Sequence, residues 1–248
     1  MRLQDKVAIV TGAGLGFGEG IAKKYAAEGA KVLVADIDGS RAERVAGEIG
    51  GAARASAADV SKGADFQRMV EETIEAFGRL DIVVNNAGIT HKNQPMLEVD
   101  EATYERVYAV NVKSIYWSAQ HAVPVFRRQG GGCFLNVAST AGLRPRPGLT
   151  WYNGSKGAVI AISKSMAVEL APDRIRVNAI CPVIGETGLT AEFMGGDSPE
   201  LRARFVASIP LGRMSRPSDV AAACVFLASD EAEFFTGVAL EVDGGRCV

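Results

Sequence analysis

Cysteine and histidine are scarce in this sequence. Its 248 residues contain four widely spaced cysteines, without a Cys-x-x-Cys pair, and only two histidines. This cysteine usage predicts free thiols in a reducing compartment rather than a disulfide framework. No cluster of metal-binding residue types is visible in the sequence, so we predict no metal site. The cysteines are Cys133, Cys181, Cys224 and Cys247, and the histidines are His91 and His121.

The sequence also lacks long apolar runs and an excess of charge of either sign. No segment reaches the ~20 apolar residues of a membrane span. The start of the chain holds an apolar run of only four residues, short of the roughly seven to fifteen of a secretory signal. Lysine and arginine total 27 against 29 acidic residues, a net charge of -2. We therefore expect a cytoplasmic protein that binds neither nucleic acid nor membranes through charge.

What the sequence does contain is an alternation of short β-branched segments with longer segments of helical periodicity. Apolar strands joined by helical crossovers are typical of a parallel sheet covered on both faces. We predict a single α/β domain over residues 1–248, a doubly wound parallel sheet of seven strands with helices on both faces. The predicted strands are residues 6–12, 31–37, 52–60, 80–88, 132–140, 175–182 and 237–245.

A glycine-rich turn, Thr-Gly-Ala-Gly-Leu-Gly-Phe-Gly, joins the first predicted strand to the first helix. Its spacing is not Gly-x-Gly-x-x-Gly, because Phe17 occupies the place of the last glycine. Gly12, Gly16 and Gly18 still allow a tight turn beneath a pyrophosphate, which would face the free N–H groups at the helix start. The turn therefore predicts a Rossmann-type dinucleotide site, unless it is glycine-rich for structural reasons alone.

Asp36 ends the second predicted strand, in the sequence Leu-Val-Ala-Asp. A carboxylate at this place accepts hydrogen bonds from the ribose hydroxyls of NAD and repels the 2′-phosphate of NADP. Neither Leu15 nor Ile37 is an arginine that would neutralise such a phosphate. We therefore predict NAD as the cofactor, with Asp38 as a less favoured candidate for the role of Asp36.

Three polar side chains follow one another after the fifth predicted strand. Ser139 ends that strand, and Tyr152 and Lys156 lie about one turn apart in the next helix, so their side chains share a face. A tyrosine with a pKa of about 10 is a poor base near neutrality, but a neighbouring ammonium and the positive charge of an oxidised nicotinamide ring favour the phenolate. We expect a lowered pKa for Tyr152, which would allow proton exchange with an alcohol while Ser139 holds the reacting oxygen.

The order and spacing of these motifs resemble the short-chain dehydrogenase/reductase family over nearly the whole chain. This resemblance implies a Rossmann-fold oxidoreductase that interconverts a secondary alcohol and a ketone by hydride transfer. The matching positions are Thr11, Gly12, Gly16 and Gly18, then Asp59 and Val60, then Asn85, Asn86, Ala87 and Gly88, then Asn111, Ser139, Tyr152 and Lys156.

The same resemblance implies a role for each matching residue. Tyr152 would be the general acid/base, Lys156 would lower its pKa and hold the nicotinamide ribose, and Asn111 would fix a proton-relaying water. The family also implies a homotetramer that packs through two long helices, residues 111–128 and 152–171. The implied cofactor-binding residues are Gly12, Leu15, Gly16, Phe17, Gly18, Asp36, Ile37, Asp59, Val60, Asn86, Ala87, Gly88, Tyr152, Lys156, Pro182, Ile184 and Thr187.

One segment departs from the family pattern. The family usually has Pro-Gly after the sixth strand, whereas here Val183 follows Pro182 and the next glycine is Gly185. A valine does not easily take a positive φ, so we expect the turn to differ locally.

The substrate pocket is expected between three segments: the residues after Gly88, the residues after Ser139, and an irregular region, 182–210, long enough to form a lid. Cations at the pocket mouth would attract an anionic small-molecule substrate, or they would simply face solvent. The candidate substrate residues are His91, Arg144, Arg146, Leu189 and Phe193.

Two alternative functions stay open. A 3-oxoacyl-[acyl-carrier-protein] reductase would carry the same catalytic residues, with Arg127 and Arg128 as a small basic patch for the carrier. Such enzymes usually prefer NADP, against which Asp36 argues. A dinucleotide-sensing protein without chemistry would show a broken catalytic set, whereas all four expected catalytic residues are present in this chain.

Overall fold

The structure, a computed structural model, describes residues 1–185, 194–196 and 198–248. It contains the predicted parallel sheet of seven strands. These strands are β1 Val7–Thr11, β2 Lys31–Asp36, β3 Ala53–Ala57, β4 Ile82–Asn85, β5 Gly132–Val137, β6 Ile175–Pro182 and β7 Ala239–Val242. Their order is β3-β2-β1-β4-β5-β6-β7, and each neighbouring pair is parallel.

Helices connect the strands and cover both faces of the sheet. They are α1 Gly16–Ala27, α2 Gly39–Ile49, α3 Gly63–Phe77, α4 Glu101–Tyr108, α5 Ser114–Gln129, α6 Thr150–Leu170, α7 Pro199–Val206 and α8 Pro217–Ala228. Short 3-10 turns lie at Met96–Glu98, Thr140–Gly142, Ala171–Asp173 and Asp230–Ala232. Among the described residues, no helix combines the length and apolarity needed to cross a bilayer.

The core has two main layers because successive strand residues point to opposite faces. Val10 of β1 packs with Tyr25 of α1 in the layer that also contains α2 and α8. The next residue back, Ile9, belongs to the opposite layer, together with Phe66 of α3 and Phe126 of α5. Burial on both faces explains why the strands are apolar throughout rather than alternating, and it confirms the doubly wound architecture.

The strand order reverses between β1 and β4, which places a crevice beyond the carboxyl ends of these two strands. Thr11, the last residue of β1, connects the segments at this end of the sheet. Its hydroxyl donates to the Val84 carbonyl at 3.2 Å and accepts from the backbone N–H groups of Asn86 and Ala87 at 3.0 and 3.1 Å. The glycine turn and the Asn-Asn-Ala-Gly segment are thereby held side by side.

The first of the two predicted long helices begins later than expected. Helix α4 passes into a π-helical turn, Ala109–Lys113, before α5 starts at Ser114. Asn111 lies in the middle of this turn and is buried. The second long helix, α6, begins at Thr150 and therefore includes Tyr152 in its first turn, as the sequence predicts.

Candidate active site

A cavity of about 320 Å³ opens at the carboxyl ends of the central strands. It brings together most of the residues singled out in the sequence, from the glycine turn to the segment after β6. The predicted residues that line it are Gly12, Leu15, Gly16, Phe17, Asp36, Ile37, Asp59, Val60, Asn86, Ala87, Gly88, Ser139, Tyr152, Lys156, Pro182 and Ile184. One continuous space therefore connects the predicted nucleotide-binding turn with the predicted catalytic side chains.

The glycine turn has the backbone geometry of a close ligand cradle. Gly12 and Gly16 have φ values of +60° and +61°, which side chains rarely adopt. A Cβ atom on Gly18 would overlap the carbonyl oxygen of Gly12, so this position has room only for glycine. Gly18 itself is buried in α1 and supports the turn from behind rather than lining the cavity.

Asp36 lies at one end of the cavity with little of its surface exposed. One carboxylate oxygen accepts a hydrogen bond from the Gly14 N–H at 2.8 Å, and the other accepts from the Asp38 N–H at 3.0 Å. Each oxygen keeps a further lone pair for a hydroxyl ligand. Asp38 has a different task, since it caps α2 by accepting from the Arg41 N–H at 3.2 Å.

Two arginines that sequence reasoning missed flank this end of the site. Arg44 donates to the Gly14 carbonyl at 2.9 Å and is paired with Glu19 at 2.8 Å. Arg41 is paired with Asp38 at 3.1 Å. Both guanidinium groups thus have an acidic partner. The sequence offered no signal for them, because only the fold of α2 brings these residues against the glycine turn.

Ser139, Tyr152 and Lys156 face the cavity together. Lys156 is only 5 % exposed, and its Nζ donates to the Val137 carbonyl at 2.8 Å. The same Nζ lies 5.9 Å from the centre of the Tyr152 ring. Ser139 caps the short turn Thr140–Gly142 by accepting from the Ala141 N–H at 3.1 Å, and it also hydrogen-bonds the Tyr152 hydroxyl.

Burial dominates the titration of Tyr152 and Lys156. Burial raises the pKa of Tyr152 to about 12, and the hydrogen bond with Ser139 offsets only part of that rise. Burial also lowers the pKa of Lys156 to about 8. In the chain without cofactor the Lys156 ammonium donates to a backbone carbonyl, and burial sets the direction in which the Tyr152 pKa moves. A lowered Tyr152 pKa with an oxidised nicotinamide bound stays a prediction.

Asn111 stands behind the cavity rather than in its wall. Its Oδ1 accepts from the Ile89 N–H at 2.9 Å, while its Nδ2 donates to the Ile89 carbonyl at 2.9 Å and to Ser155 Oγ at 3.0 Å. A Cβ on Gly88 would lie 3.2 Å from Lys156 Nζ and 3.3 Å from Asn111 Oδ1. Gly88 therefore keeps the space between these two side chains open.

Three candidate substrate residues that the structure describes, His91, Arg144 and Arg146, lie outside the cavity wall. His91 is buried, with Nδ1 2.8 Å from the Lys92 carbonyl. Arg144 is exposed, and Arg146 is half-buried with its guanidinium 4.0 Å from the centre of the Phe205 ring. Three further predicted residues, Thr187, Leu189 and Phe193, lie outside the described residues.

Several lining residues were not named individually as site residues from the sequence: Ala58, Ile89, Val110, Val137, Ala138, Val183 and Gly185. All of them are adjacent in sequence to a predicted residue or to another residue of this set, so extending each motif by two positions would have found most of them. Val183 replaces the family's glycine without a positive φ, and its N–H donates to the Val242 carbonyl at 3.2 Å. Within the described part of the chain, no group of three or more potential metal ligands is found.

Comparisons with known proteins agree with the geometry. The model of a family described as enoyl-(acyl carrier protein) reductase matches residues 12–246. The chain is 55% identical over 250 residues to 4-formylbenzenesulfonate dehydrogenase of Comamonas testosteroni, with 99% of each chain covered. It is 37% identical to meso-2,3-butanediol dehydrogenase of Serratia marcescens over 246 residues, 99% of this chain and 96% of that one.

A solved structure is also similar. The 3-ketoacyl-(acyl-carrier-protein) reductase from Brucella melitensis, complexed with NADH, superposes with a TM-score of 0.95 at 50% identity. The match covers 99% of this chain and 100% of that one. The two structures therefore share the whole sheet and the helices that cover it.

Proposed function

This chain belongs to the short-chain dehydrogenase/reductase family, and on that premise we propose that it is an NAD-dependent oxidoreductase that interconverts a secondary alcohol and a ketone, with Tyr152 as the general acid/base. The observation that carries the proposal is the shared cavity. Ser139, Tyr152 and Lys156 open into the same space as the glycine turn and Asp36. A hydroxyl held near Tyr152 would therefore lie beside the reactive end of a bound dinucleotide.

The residues present fit such a cofactor. The positive φ angles of Gly12 and Gly16 bring bare backbone to the place where a pyrophosphate would rest. Asp36 would bind the adenosine ribose through the lone pairs that Gly14 and Asp38 leave open. Asp59 and Val60 would contact the adenine. Asn86, Ala87 and Gly88 would contact the middle of the cofactor. The contacts to the nicotinamide end would come from Tyr152, Lys156, Pro182, Ile184 and Thr187.

A bound nicotinamide ring would supply the acceptor for the hydride that leaves the substrate carbon. Tyr152, as phenolate, takes the proton of the substrate hydroxyl while the hydrogen on the same carbon leaves with the C–H electron pair as hydride, so that the carbinol becomes a ketone. Ser139 donates a hydrogen bond to the same oxygen. Because Tyr152 starts from a raised pKa, the positive charges of Lys156 and of the oxidised cofactor have to favour its phenolate.

The preference for NAD rests on the charge of Asp36. The carboxylate is buried and lines the cavity, so a 2′-phosphate placed there would meet a negative charge with little screening. The two nearby arginines do not reverse this preference, since Arg41 and Arg44 are each paired with an acid. The Brucella neighbour, complexed with NADH, supports the same choice.

The similar proteins point to a substrate class that can be tested directly. The relative at 55% identity is named for an aromatic aldehyde with a sulfonate group. A hydrated aldehyde carries the same H–C–O–H unit as an alcohol, so the same proton and hydride movements convert it to a carboxylic acid. We therefore include aryl aldehydes and benzylic alcohols among the substrates to be tried.

A second candidate is the reduction of a 3-oxoacyl group on acyl carrier protein. It is supported by the similar Brucella reductase. The basic patch expected to bind the carrier is weakened in the structure, since Arg127 is paired with Asp173 at 2.8 Å. Reduction of an acetoacetyl thioester with NADH faster than any alcohol is oxidised with NAD would favour this candidate.

The proposal also includes a cytoplasmic homotetramer. Helices α5 and α6 expose apolar side chains, with Tyr116 52 % and Val168 80 % exposed. Phe234 near the end of the chain is 97 % exposed. Association that covers these side chains removes apolar surface from water. Light scattering coupled to size-exclusion chromatography measures the mass of the assembly, and the mass of a monomer or a dimer would contradict this part of the proposal.

The central experiment combines a substrate panel with one substitution. Sugars, hydroxy acids, benzylic alcohols and aryl aldehydes are offered with NAD and with NADP, and the reduced cofactor is followed by its absorbance. Tyr152→Phe should lower turnover by about 10²- to 10⁴-fold and keep NAD binding. The matched control is Tyr116→Phe, which removes the hydroxyl of an exposed tyrosine in α5. A Tyr152→Phe protein with a large part of the original activity would reject the acid/base role.

A further inference from the structure

Three arginines from two distant parts of the chain meet beside the active site. Arg144 and Arg146 lie in the loop between the Thr140–Gly142 turn and α6, whereas Arg246 lies after β7, close to the end of the chain. Arg144 Nη1 donates to the Arg246 carbonyl at 2.6 Å, which joins the two segments. The three positive charges repel one another, so the rest of the fold must offset the electrostatic cost of holding them together.

Contacts among the described residues anchor Arg146 and the turn that carries Arg246. The Arg146 guanidinium stacks on Phe205 of α7, and its carbonyl accepts from Asn153 Nδ2 at 2.8 Å. The turn that carries Arg246 is fixed by Asp243, whose carboxylate accepts from the N–H groups of Gly245 and Cys247 at 2.9 and 2.7 Å. These anchors pre-organise the cluster, which reduces the entropy lost when a ligand binds.

The cluster contains an unsatisfied donor. Arg246 Nε is buried and has no hydrogen-bond acceptor among the described residues. Within that same part of the chain, neither Arg144 nor Arg246 forms an ion pair with an acid. Burial and the charges of Arg246 and Arg144 lower the pKa of Arg146 to about 10, as expected where guanidinium groups lie close together. A buried charged donor without an acceptor is costly, and an oxyanion would satisfy it.

The position of the cluster fits the far end of a substrate. The arginine loop begins after Ser139, with the Arg144 N–H donating to the Thr140 carbonyl at 2.7 Å, and it ends at the helix that carries Tyr152. The loop is thus flanked in sequence by Ser139 and Tyr152. None of the three arginines lines the cavity itself, so a group that they bind would stand away from the reacting carbon, with a rigid spacer such as an aromatic ring between.

We propose that Arg144, Arg146 and Arg246 form a subsite for the sulfonate or carboxylate group of an aromatic substrate whose hydroxyl or aldehyde carbon lies at Tyr152. This inference rests on the proposed oxidoreductase function and adds the substrate class. Guanidinium groups suit such a ligand because their planar N–H forks match two oxygens of an oxyanion at once. Arg246 Nε would provide one of these donors.

The test compares two aldehydes that differ in charge but share the ring and the para sulfur atom. 4-Formylbenzenesulfonate is the anion, and 4-(methylsulfonyl)benzaldehyde is the neutral partner. The protein should prefer the sulfonate in kcat/KM. In Arg246→Gln and Arg144→Gln, kcat/KM for the sulfonate should fall about ten- to hundredfold, far more than for the sulfone. Arg246→Lys, which keeps the charge but not the fork, should lie between. Arg54→Gln, an exposed arginine on β3 outside the cavity wall, is the control.

A calorimetric titration separates failure of this inference from failure of the proposed function. The Tyr152→Phe protein with bound NADH is titrated with 4-(hydroxymethyl)benzenesulfonate, and binding should be lost when Arg246→Gln is added. If no aldehyde is oxidised but this arginine-dependent binding is seen, the subsite stands and the reaction assignment is at fault. Equal kcat/KM for the two aldehydes, or a preference for the sulfonate that survives both arginine substitutions, would overturn the subsite. So would sulfonate binding that the arginine substitution leaves intact.

Discussion

Asn111 Nδ2 donates a 3.0 Å hydrogen bond to Ser155 Oγ, and this bond joins the π-helical turn to the helix that carries Tyr152. Ser155 Oγ in turn donates to the Tyr152 carbonyl at 2.7 Å. The other hydrogen bonds of Asn111 fix Ile89, which lines the cavity. The backbone on two sides of the cavity is therefore positioned by one buried amide and one buried hydroxyl.

Replacing Ser155 with alanine removes both hydrogen bonds of its hydroxyl and leaves one Asn111 donor without an acceptor. We expect a loss of about 1–3 kcal/mol in the free energy of unfolding. We also expect a fall in kcat larger than any rise in KM, because the backbone at Tyr152 loses its support. Denaturant unfolding and steady-state kinetics measure the two effects.

The chain offers a matched control for this substitution. Ser163, also in α6, donates to the Val159 carbonyl at 2.7 Å and accepts from Asn136 Nδ2 at 2.9 Å, and it is as completely buried as Ser155. Ser163→Ala should cost similar stability while kcat stays close to that of the unchanged protein. Equal losses of kcat in the two variants would show that Ser155 acts only through stability.

The glycine turn gives a second prediction. Gly18→Ala places a methyl group against the Gly12 carbonyl oxygen, so the turn must shift. We expect weaker NAD binding and a loss of about 1–3 kcal/mol of stability, as for other overpacked sites. Gly47→Ala is the control, because a Cβ there meets nothing within 4 Å and the residue lies in α2. That variant should gain about 0.5–1 kcal/mol. Unchanged NAD affinity in Gly18→Ala would reject the cradle.

The strands and the motifs at their carboxyl ends were predictable from sequence because the signals are local. An apolar run such as Val7–Thr11 followed by a glycine turn has one common structural meaning, and a parallel sheet then brings all such ends to one edge. The π-helical turn at Asn111 was not predictable, since its sequence fits an α-helix equally well. Its stability comes from tertiary hydrogen bonds that periodicity does not report.

The titration of Tyr152 and the position of Arg246 illustrate the same limit. One helical turn between Tyr152 and Lys156 indicates that they share a face, but not which acceptor the ammonium takes. In the structure that acceptor is the Val137 carbonyl on β5. Arg246 lies about a hundred residues from Arg144 in sequence, and only the return of the chain after β7 brings them together. Facts of this kind depend on the assembled sheet.

The cofactor preference gives a third prediction. Asp36→Ala removes the charge that would repel a 2′-phosphate, so the ratio of kcat/KM for NAD over NADP should fall about tenfold or more. Asp36→Asn keeps the shape of the side chain, removes its charge and leaves one oxygen that can still accept from the Gly14 N–H. It should shift the ratio in the same direction. A ratio that changes in Asp36→Ala but not in Asp36→Asn would mean that the hydrogen bond from Gly14, rather than charge, sets the preference.

The last prediction concerns the stability of the protein without cofactor as a function of pH. Lys156 is almost completely buried, and this lowers its pKa to about 8 from an ordinary 10.5. Between these two values the unfolded chain binds a proton that the folded protein has released. The free energy of unfolding therefore rises with pH across this window, on the order of 3 kcal/mol over its full width.

Lys156→Met should lack this rise, so the stability of the unchanged protein relative to the variant should increase from pH 7.5 to pH 9.5, by roughly 2 kcal/mol. The comparison stays below pH 10 because the raised pKa of Tyr152 acts in the opposite direction above it: there the unfolded chain loses a phenolic proton that the folded protein keeps. Exposed Lys164→Met, in the same helix, is the control for removing a lysine. Denaturant unfolding at each pH gives the difference. The free energies of unfolding of the unchanged protein and of Lys156→Met could instead differ by the same amount at every pH. That result would mean that the buried ammonium keeps its ordinary pKa and that Lys156 stays charged beside Tyr152 across this range.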